Sequence, residues 1–251
     1  MSGHSKWSTI KRKKAVTDAR RGKLFTQLIK EITVAAKSGG GDPEANPRLR
    51  LAIERARANN MPAENIKRAI QRGTGELPGT SYEDAVYEAY GPGGAAIIIE
   101  TVTDNKNRTI SELRHILERN NGKIATTGSV SFQFKRKGII IVPKNAIAED
   151  DLLSIVLEAG ADDMKVEDDE YQIECTPENF DNLKKTIESG NIKIESAEIN
   201  LMAENTVKVE GEDAEKLLKL LEALEEHDDV QKVYSNFEID DKILAKVSGG
   251  N

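Results

Sequence analysis

The residues with the clearest chemical potential in this chain are basic. From Lys6 to Lys30 there are nine of them, Lys6, Lys11, Arg12, Lys13, Lys14, Arg20, Arg21, Lys23 and Lys30, against a single acid, Asp18. Their chemistry is ion pairing with phosphate, because each neutralised phosphate releases condensed counterions. Packing a fold rarely demands such a run. Trp7 lies inside it and has two readings: a platform on which a base stacks, or a pin that fastens the run to the helices after it. Further on, Arg48 and Arg55 flank one side of a helical apolar face, and Arg50 and Arg57 flank the other. Each pair is seven residues apart, so two stripes could grip phosphates or cover the bundle with their stems. Lys106 and Arg108 sit in the run TDNKNRT (103–109), where a strand end feeds a helix start. With the N–H groups after a capping Thr109 they form either a phosphate seat or an ordinary capped turn.

Other chemistries are poorly supported. YGPGG (90–94) precedes a strand and lacks the trailing Lys-Ser/Thr of a phosphate-binding loop, so it reads as a tight turn. The acidic clusters lack calcium-loop spacing. His4, His115 and His227 show no ligand spacing with Cys175, and no local catalytic signature is present. The expectation is a protein that is not an enzyme, with no cofactor and no metal. One cysteine permits no internal disulfide and suits a reducing cytoplasm. Cys175 itself reads as a small core residue. No run approaches the ~18 apolar residues of a membrane span, and no apolar leader opens the chain.

The charge is split along the chain. Through residue 80 there are 17 Lys/Arg against 7 Asp/Glu, a balance of +10, whereas the remainder balances at −17. A pI near 5.3 therefore hides a basic head on an acidic body, a pattern that points to a nucleic-acid partner for the head.

Residues 1–16 have no apolar period and read as a basic arm. Helices are expected at 17–21, 23–37 and 48–59, with another starting at Pro62 and stopping near Gly73. The Gly/Pro-containing stretch 74–80 reads as a linker. After it the period changes: strands at 95–102, 129–134 and 138–142, and helices at 109–120, 149–159, 177–188 and 213–226, with further strands between and after them. The order βαββαββαββαβ is two copies of the ferredoxin-like unit. The copies parse either end to end, splitting near Asp168, or nested, with 135–204 inserted into the other; pattern alone leaves both open. Phe132 and Phe134 are expected to share a core-facing strand side. Strand 138–142 carries Ile and Val where an RNA-recognition motif needs aromatics. The helix after Pro62 begins Ala63, Glu64, Asn65, a poor base-reading turn, so the head suits backbone and shape rather than base edges. No heptad run provides a dimer, and a monomer is expected.

Several segments resemble the YebC/PmpR family, which includes mitochondrial translational activators of cytochrome oxidase subunit I: GHSKW (3–7), NNMP (59–62) with Asn65, Ile66 and Arg68, YEAYGPGG (87–94), TDNKNRT (103–109) and GSVSF (128–132). Ala89 stands where that family more often has Gly. The resemblance implies an α+β multidomain chain, a helical bundle followed by two ferredoxin-like domains, one inserted in the other. That favours a basic arm and bundle at 1–80, a discontinuous domain at 81–134 and 205–240, an insert at 135–204 and a tail at 241–251. It also implies a cytoplasmic, DNA-binding transcriptional regulator. The alternative it carries is a ribosome-associated translation factor that binds structured RNA.

Overall fold

The structure, a computed structural model, describes residue 7, residues 18–167, residues 169–240 and residue 243, with side chains described at 7 and from 22 onward. It is a mix of helices and mainly antiparallel sheets, and it divides into two compact units, Met1–Phe132 with Asn205–Asn251, and Gln133–Glu204.

The first unit opens with three helices, α1 (Asp18–Gly39), α2 (Pro47–Ala58) and α3 (Ala63–Thr74). The expected break near residue 22 is absent, and α1 runs through Gly22 as one helix. Asn46 caps α2: its side chain accepts from Leu49 N–H at 3.1 Å, and Pro47 occupies the first helical position. Leu28 and Ile32 of α1, Leu49 and Ile53 of α2, and Ile66 and Ala69 of α3 close one apolar core. Each Leu or Ile of this core contributes about 1.5–3 kcal/mol by leaving water. Gly73 is not the stop expected from sequence. It lies inside α3, where an added Cβ would come within 2.4 Å of the Thr33 carbonyl oxygen, so glycine permits a close crossing of α1 and α3. The helix ends instead at Gly75, in the left-handed region at φ 83°.

The same unit contains the strands β1 (Glu83–Tyr90) and β2 (Ala96–Thr103), helix α4 (Lys106–Arg119) and the short β3 (Lys123–Ile124). Beta-1 and β2 form a hairpin whose register runs from Glu83 opposite Thr103 to Tyr90 opposite Ala96. The turn between them is the GPGG run: Gly91 N–H donates to Ala95 O at 2.8 Å, and Gly93 and Gly94 take φ of 69° and 76°. Beta-1 is not evident from the sequence because its acids and alanines have weak strand propensity and most of it is not fully buried.

The expected strand at 129–134 does not form. Glu88, on β1, takes the backbone N–H groups that a ladder there would need: Gly128 and Val130 donate to its carboxylate at 2.6 Å each, and Ser131 at 3.1 Å. Tyr90 Oη donates to Ser129 O at 3.2 Å, and Ala125 N–H to Glu88 O at 2.8 Å. Val130 is buried, Ser131–Gln133 make a 3-10 turn, and Phe132 is 71% exposed rather than core. Burial pushes the Glu88 carboxyl up, but the three N–H bonds outweigh it and hold it below its ordinary value.

The second unit contains β4 (Phe134–Pro143), α5 (Glu149–Glu158), β5 (Asp163–Val166), β6 (Glu170–Cys175), α6 (Phe180–Ser189) and β7 (Ser196–Ala203). This is a βαββαβ unit with the antiparallel strand order β5-β6-β4-β7. Glu174 is buried between Lys137, at 2.9 Å, and Lys165. Cys175 is fully buried, and that burial pushes its thiol up to about 11.

Past Asn205 the chain adds β8 (Val207–Lys208), α7 (Gly211–Glu225), β9 (Val230–Ser235) and β10 (Phe237–Glu238) to the first unit. Beta-9 pairs with β2, giving the antiparallel order β3-β1-β2-β9, and β8 pairs with β10. Helices α4 and α7 bury Leu113, Leu117, Leu217 and Leu221 against Ile97, Ile99 and Val233. Spatially this sheet follows the plan of the other, but the strand in the plan's third place comes first in the chain.

Candidate nucleic-acid interface

Helix α1 carries a polar stripe, Lys23, Gln27 and Lys30, at spacings of four and three that place all of them on one face. The stripe meets the end of α7 and the turn after it. Lys23 Nζ donates to Glu225 O at 2.8 Å, Gln27 Nε2 to Val230 O at 2.7 Å and Lys30 Nζ to Asp228 O at 3.0 Å. Carbonyls at a helix C-terminus carry partial negative charge, so the ammonium groups are favourable there.

Asp229 is the centre of this seam. Its side chain is 3% exposed, and its Oδ1 pairs with Lys30 Nζ at 2.7 Å. Its Oδ2 lies 2.7 Å from Arg108 Nη2 and within reach of the Thr109 and Thr103 hydroxyls at 2.8 and 3.2 Å. Burial alone pushes the carboxyl up; the bonds from Lys30, Arg108 and Thr109 outweigh it and hold the group far below the usual carboxylate range. His227 Nδ1 accepts from Asp229 N–H at 3.1 Å, and its Nε2 lies 2.9 Å from Glu112. Glu112, His227 and Asp229 bring three ligand-type atoms within 4.8 Å of one another. The Asp229 oxygens and His227 Nδ1 are already committed to protein donors, so the cluster is built as a hydrogen-bonded seam rather than as a metal seat.

The sequence-predicted site residues divide on this frame. Lys23 belongs to the seam. Arg48 makes a bidentate pair with Asp84 at 2.7 and 2.8 Å and reaches Glu31 at 3.1 Å; the Asp84 bonds raise its pKa further. Helix α4 starts at Lys106, not after Thr109, and is capped by the Asn105 side chain accepting from Arg108 N–H at 3.1 Å. Thr109 is buried inside the helix. Lys106 pairs with Glu83 at 2.8 Å, and Arg108 with Asp104 at 2.9 Å as well as with Asp229. The expected phosphate seat is thus filled by the protein's own carboxylates. Trp7 is 4% exposed and lies in the sheet core with Ile97, Leu113 and Leu217. A ring enclosed this way offers no face to a base; it pins the chain to the sheet core, not to the helical bundle.

Arg50 and Arg55 are half-buried on α2. Arg57 is exposed and, with Lys67 of α3, lines a cleft of about 460 Å³ floored by Ile53, Met61 and Ile66. Sequence reasoning misses Lys67, though its position one turn into the helix after Pro62 is a usable signal. Lys6, Lys11, Arg12, Lys13 and Lys14 lie outside the described residues; Arg20 and Arg21 lie on α1 with side chains outside the described ones. Gln27, Lys30 and Asp229 are also missed as a group, since no local motif links residues some two hundred positions apart.

A helical head joined through a charged seam to an α+β sheet, with a second α+β unit inserted in the chain between that sheet's segments, defines the class. Residues 5–76 match the family model of the TACO1/YebC protein N-terminal domain, and residues 82–237 that of the TACO1/YebC second and third domain. The chain belongs to the TACO1/YebC family. It is 56% identical over 249 residues to a "Probable transcriptional regulatory protein" of Chloroherpeton thalassium, covering 99% of this chain and 100% of that one. A protein of the same name from Pelotomaculum thermopropionicum is 56% identical over 243 residues, covering 96% and 100%. Among solved structures, a conserved hypothetical protein of Aquifex aeolicus superposes with a TM-score of 0.83 at 47% identity, covering 90% of this chain and 94% of that one.

Proposed function

We propose that this protein is a nucleic-acid-binding regulator of gene expression whose helical head, with the basic run before it, holds phosphate. The observation that carries this reading is the cleft where Arg57 and Lys67 stand exposed, on a head whose cations Lys23, Lys30 and Arg48 are engaged internally. The relatives' name, probable transcriptional regulatory protein, supports DNA as the target. It acts by binding rather than by catalysis, and in the cytoplasm, where a lone buried cysteine fits the reducing conditions. No helix among the described residues is long and apolar enough to cross a membrane.

A second reading, a translation factor on structured RNA, is favoured by the first turn of α3. There Glu64 is exposed beside Ala63 and pairs with Arg68 at 3.1 Å, an arrangement unsuited to reading base edges. Phosphate contacts position a protein without specifying sequence, so a shaped polyanion serves this head as well as an operator does. Salt titration of binding tests both. Contact with about five phosphates gives a log–log slope near about −4.5 on duplex DNA and about −3.5 on single strands. Replacing Lys11, Arg12, Lys13 and Lys14 by Ala should remove most of that slope for every sequence alike. A slope unchanged by the fourfold variant would place the contact elsewhere, and tight preference for one duplex over its scramble would make the head an operator reader.

A further inference from the structure

The far end of the β1–β2 hairpin carries an arrangement that neither the seam nor the head uses. Three features lie on the strand end and on the segment that Tyr90 and Glu88 fasten to it. Tyr90, Gly91, Gly94, Asn121, Gly122 and Lys123 line an open cleft of about 530 Å³, within the size range of small-molecule sites. Lys123 stands exposed, opposite Tyr90 in the β1–β3 register, with its ammonium 5.9 Å from the Tyr90 ring centre and no carboxylate partner among the described residues. A Cβ at Gly94 would meet nothing within 4 Å, so one wall is open backbone.

The second feature is the loop from Ala125 to Ser131. It is fastened to β1 by Glu88, through both its carbonyl and its carboxylate, and by Tyr90. Tyr90 therefore serves both, with its ring on the cleft and its hydroxyl on the loop. Burying a carboxylate with no cation beside it is costly unless several donors compensate. Here three backbone N–H groups do, and the effect is a loop held in one shape.

The third feature lies one residue past the last clamped N–H. Phe132 is 71% exposed, the most exposed of the large apolar side chains described. A large aromatic ring held in water on an ordered loop loses little entropy on binding, which is the property of an anchor. Its ring face, with a free ammonium and an open aromatic-walled cleft on the same loop-and-strand end, matches a flat base attached to a phosphate. Stacking on an aromatic ring is worth about 1–3 kcal/mol per base and tolerates any sequence.

We propose that this end of the first sheet is a subsite for unpaired nucleotides of single-stranded nucleic acid, with Phe132 stacking a base and Lys123 holding a phosphate. The proposal rests on the reading of the protein as a nucleic-acid binder and adds a second contact, remote in sequence from the head. The test uses the full chain with three probes: a short single-stranded RNA, the DNA strand of the same sequence, and a duplex. The single strands carry 2-aminopurine, whose fluorescence is quenched by stacking. Phe132→Ala should weaken single-strand binding by about 5- to 150-fold, the range equivalent to one lost stack, and abolish the quench; duplex binding should not change. Phe132→Trp should keep both, and Phe132→Leu should not. Lys123→Ala should lower the single-strand salt slope by about 0.7, the increment for one phosphate. Comparison of the RNA and DNA strands identifies which sugar the site takes.

Single-strand affinity within about twofold of the parent for both Ala variants, with duplex binding intact, overturns the subsite and leaves the head's role standing. Full rescue by Phe132→Leu also overturns it, because it shows a plain apolar contact of the kind a protein partner makes. Failure of the parent chain to bind either single strand overturns this proposal; failure to bind the duplex and a folded ribosomal RNA fragment as well overturns the nucleic-acid reading with it.

Discussion

The two ends of the β1–β2 hairpin treat the same residue types in opposite ways. At the Glu83–Thr103 end, Lys106 meets Glu83, Arg108 meets Asp104 and Asp229, and Lys30 reaches in from α1 to the same Asp229. At the Tyr90–Ala96 end, Lys123 has only the Tyr90 ring among the described residues, and Phe132 is left in water. One end uses its cations to join the head to the sheet; the other leaves a cation and an aromatic ring facing outward. Basic residues therefore carry no single meaning in this chain, and the deciding variable is whether a carboxylate lies within reach. Both ends do contain a buried carboxylate, and these also differ. Asp229 is compensated by two cations, whereas Glu88 is compensated by backbone N–H groups.

That contrast makes the largest expected effect Asp229→Ala. It strands Lys30 against an empty site, and removal of one partner from a buried pair costs about 3–5 kcal/mol. Chemical denaturation should show a correspondingly lower midpoint; loss of under about 1 kcal/mol would mean that the seam does not hold the head. The pH dependence sharpens the point. Asp229 and Glu88 both have folded pKa values below their unfolded ones, and the latter lie near about 4. Between the two values the unfolded chain binds more protons, so the stabilisation is complete above about pH 5 and is lost as pH falls through the folded values. Acid titration of Asp229→Ala should lack part of this slope, with the Glu88 share remaining.

Glu88→Gln is the next largest. It keeps the shape but removes the charge and replaces one accepting oxygen by an NH2 that cannot accept. At least one of the three N–H groups then loses its partner and the rest lose a charge-assisted bond, in a class where each is worth about 1.5–3 kcal/mol. The loss should fall mainly on the 125–131 loop, seen as faster amide exchange at Gly128, Val130 and Ser131 with the α1 amides unaffected. Uniform acceleration throughout the first unit would show that the loop and the seam are not separable. Lys106→Ala is the smallest: an exposed pair with Glu83 should be replaceable with no resolvable change in melting temperature. A clear drop there would mean that the seam extends to the edge of the hairpin.

Much is legible in local pattern. The apolar period of 23–37 and 48–59, the Pro62 start and the turn at GPGG depend on neighbours in the chain, and each appears in the structure close to its expected place. The expectations that fail share a cause. The capping box at Thr109, the strand at 129–134 and the stop at Gly73 are locally reasonable, and each is displaced by a distant partner. Thr109 turns inward toward Asp229, Glu88 captures the N–H groups of Gly128, Val130 and Ser131, and Gly73 sits against Thr33. Trp7 belongs by local pattern to an arm but lies in the sheet core, among residues about a hundred or more positions away.

The class of elements, the basic head on an acidic body and the family are legible in the chain alone, because periodicity, charge and motif are properties of residues near one another in the chain. Which charges remain available to a partner depends on the folded arrangement. A lysine at 30 and a lysine at 123 look alike in sequence. Folding places a buried carboxylate 2.7 Å from the first and the face of Tyr90 near the second. Ion pairing falls off steeply with distance and strengthens with burial, so the choice between holding the fold and facing a ligand is made by three-dimensional proximity.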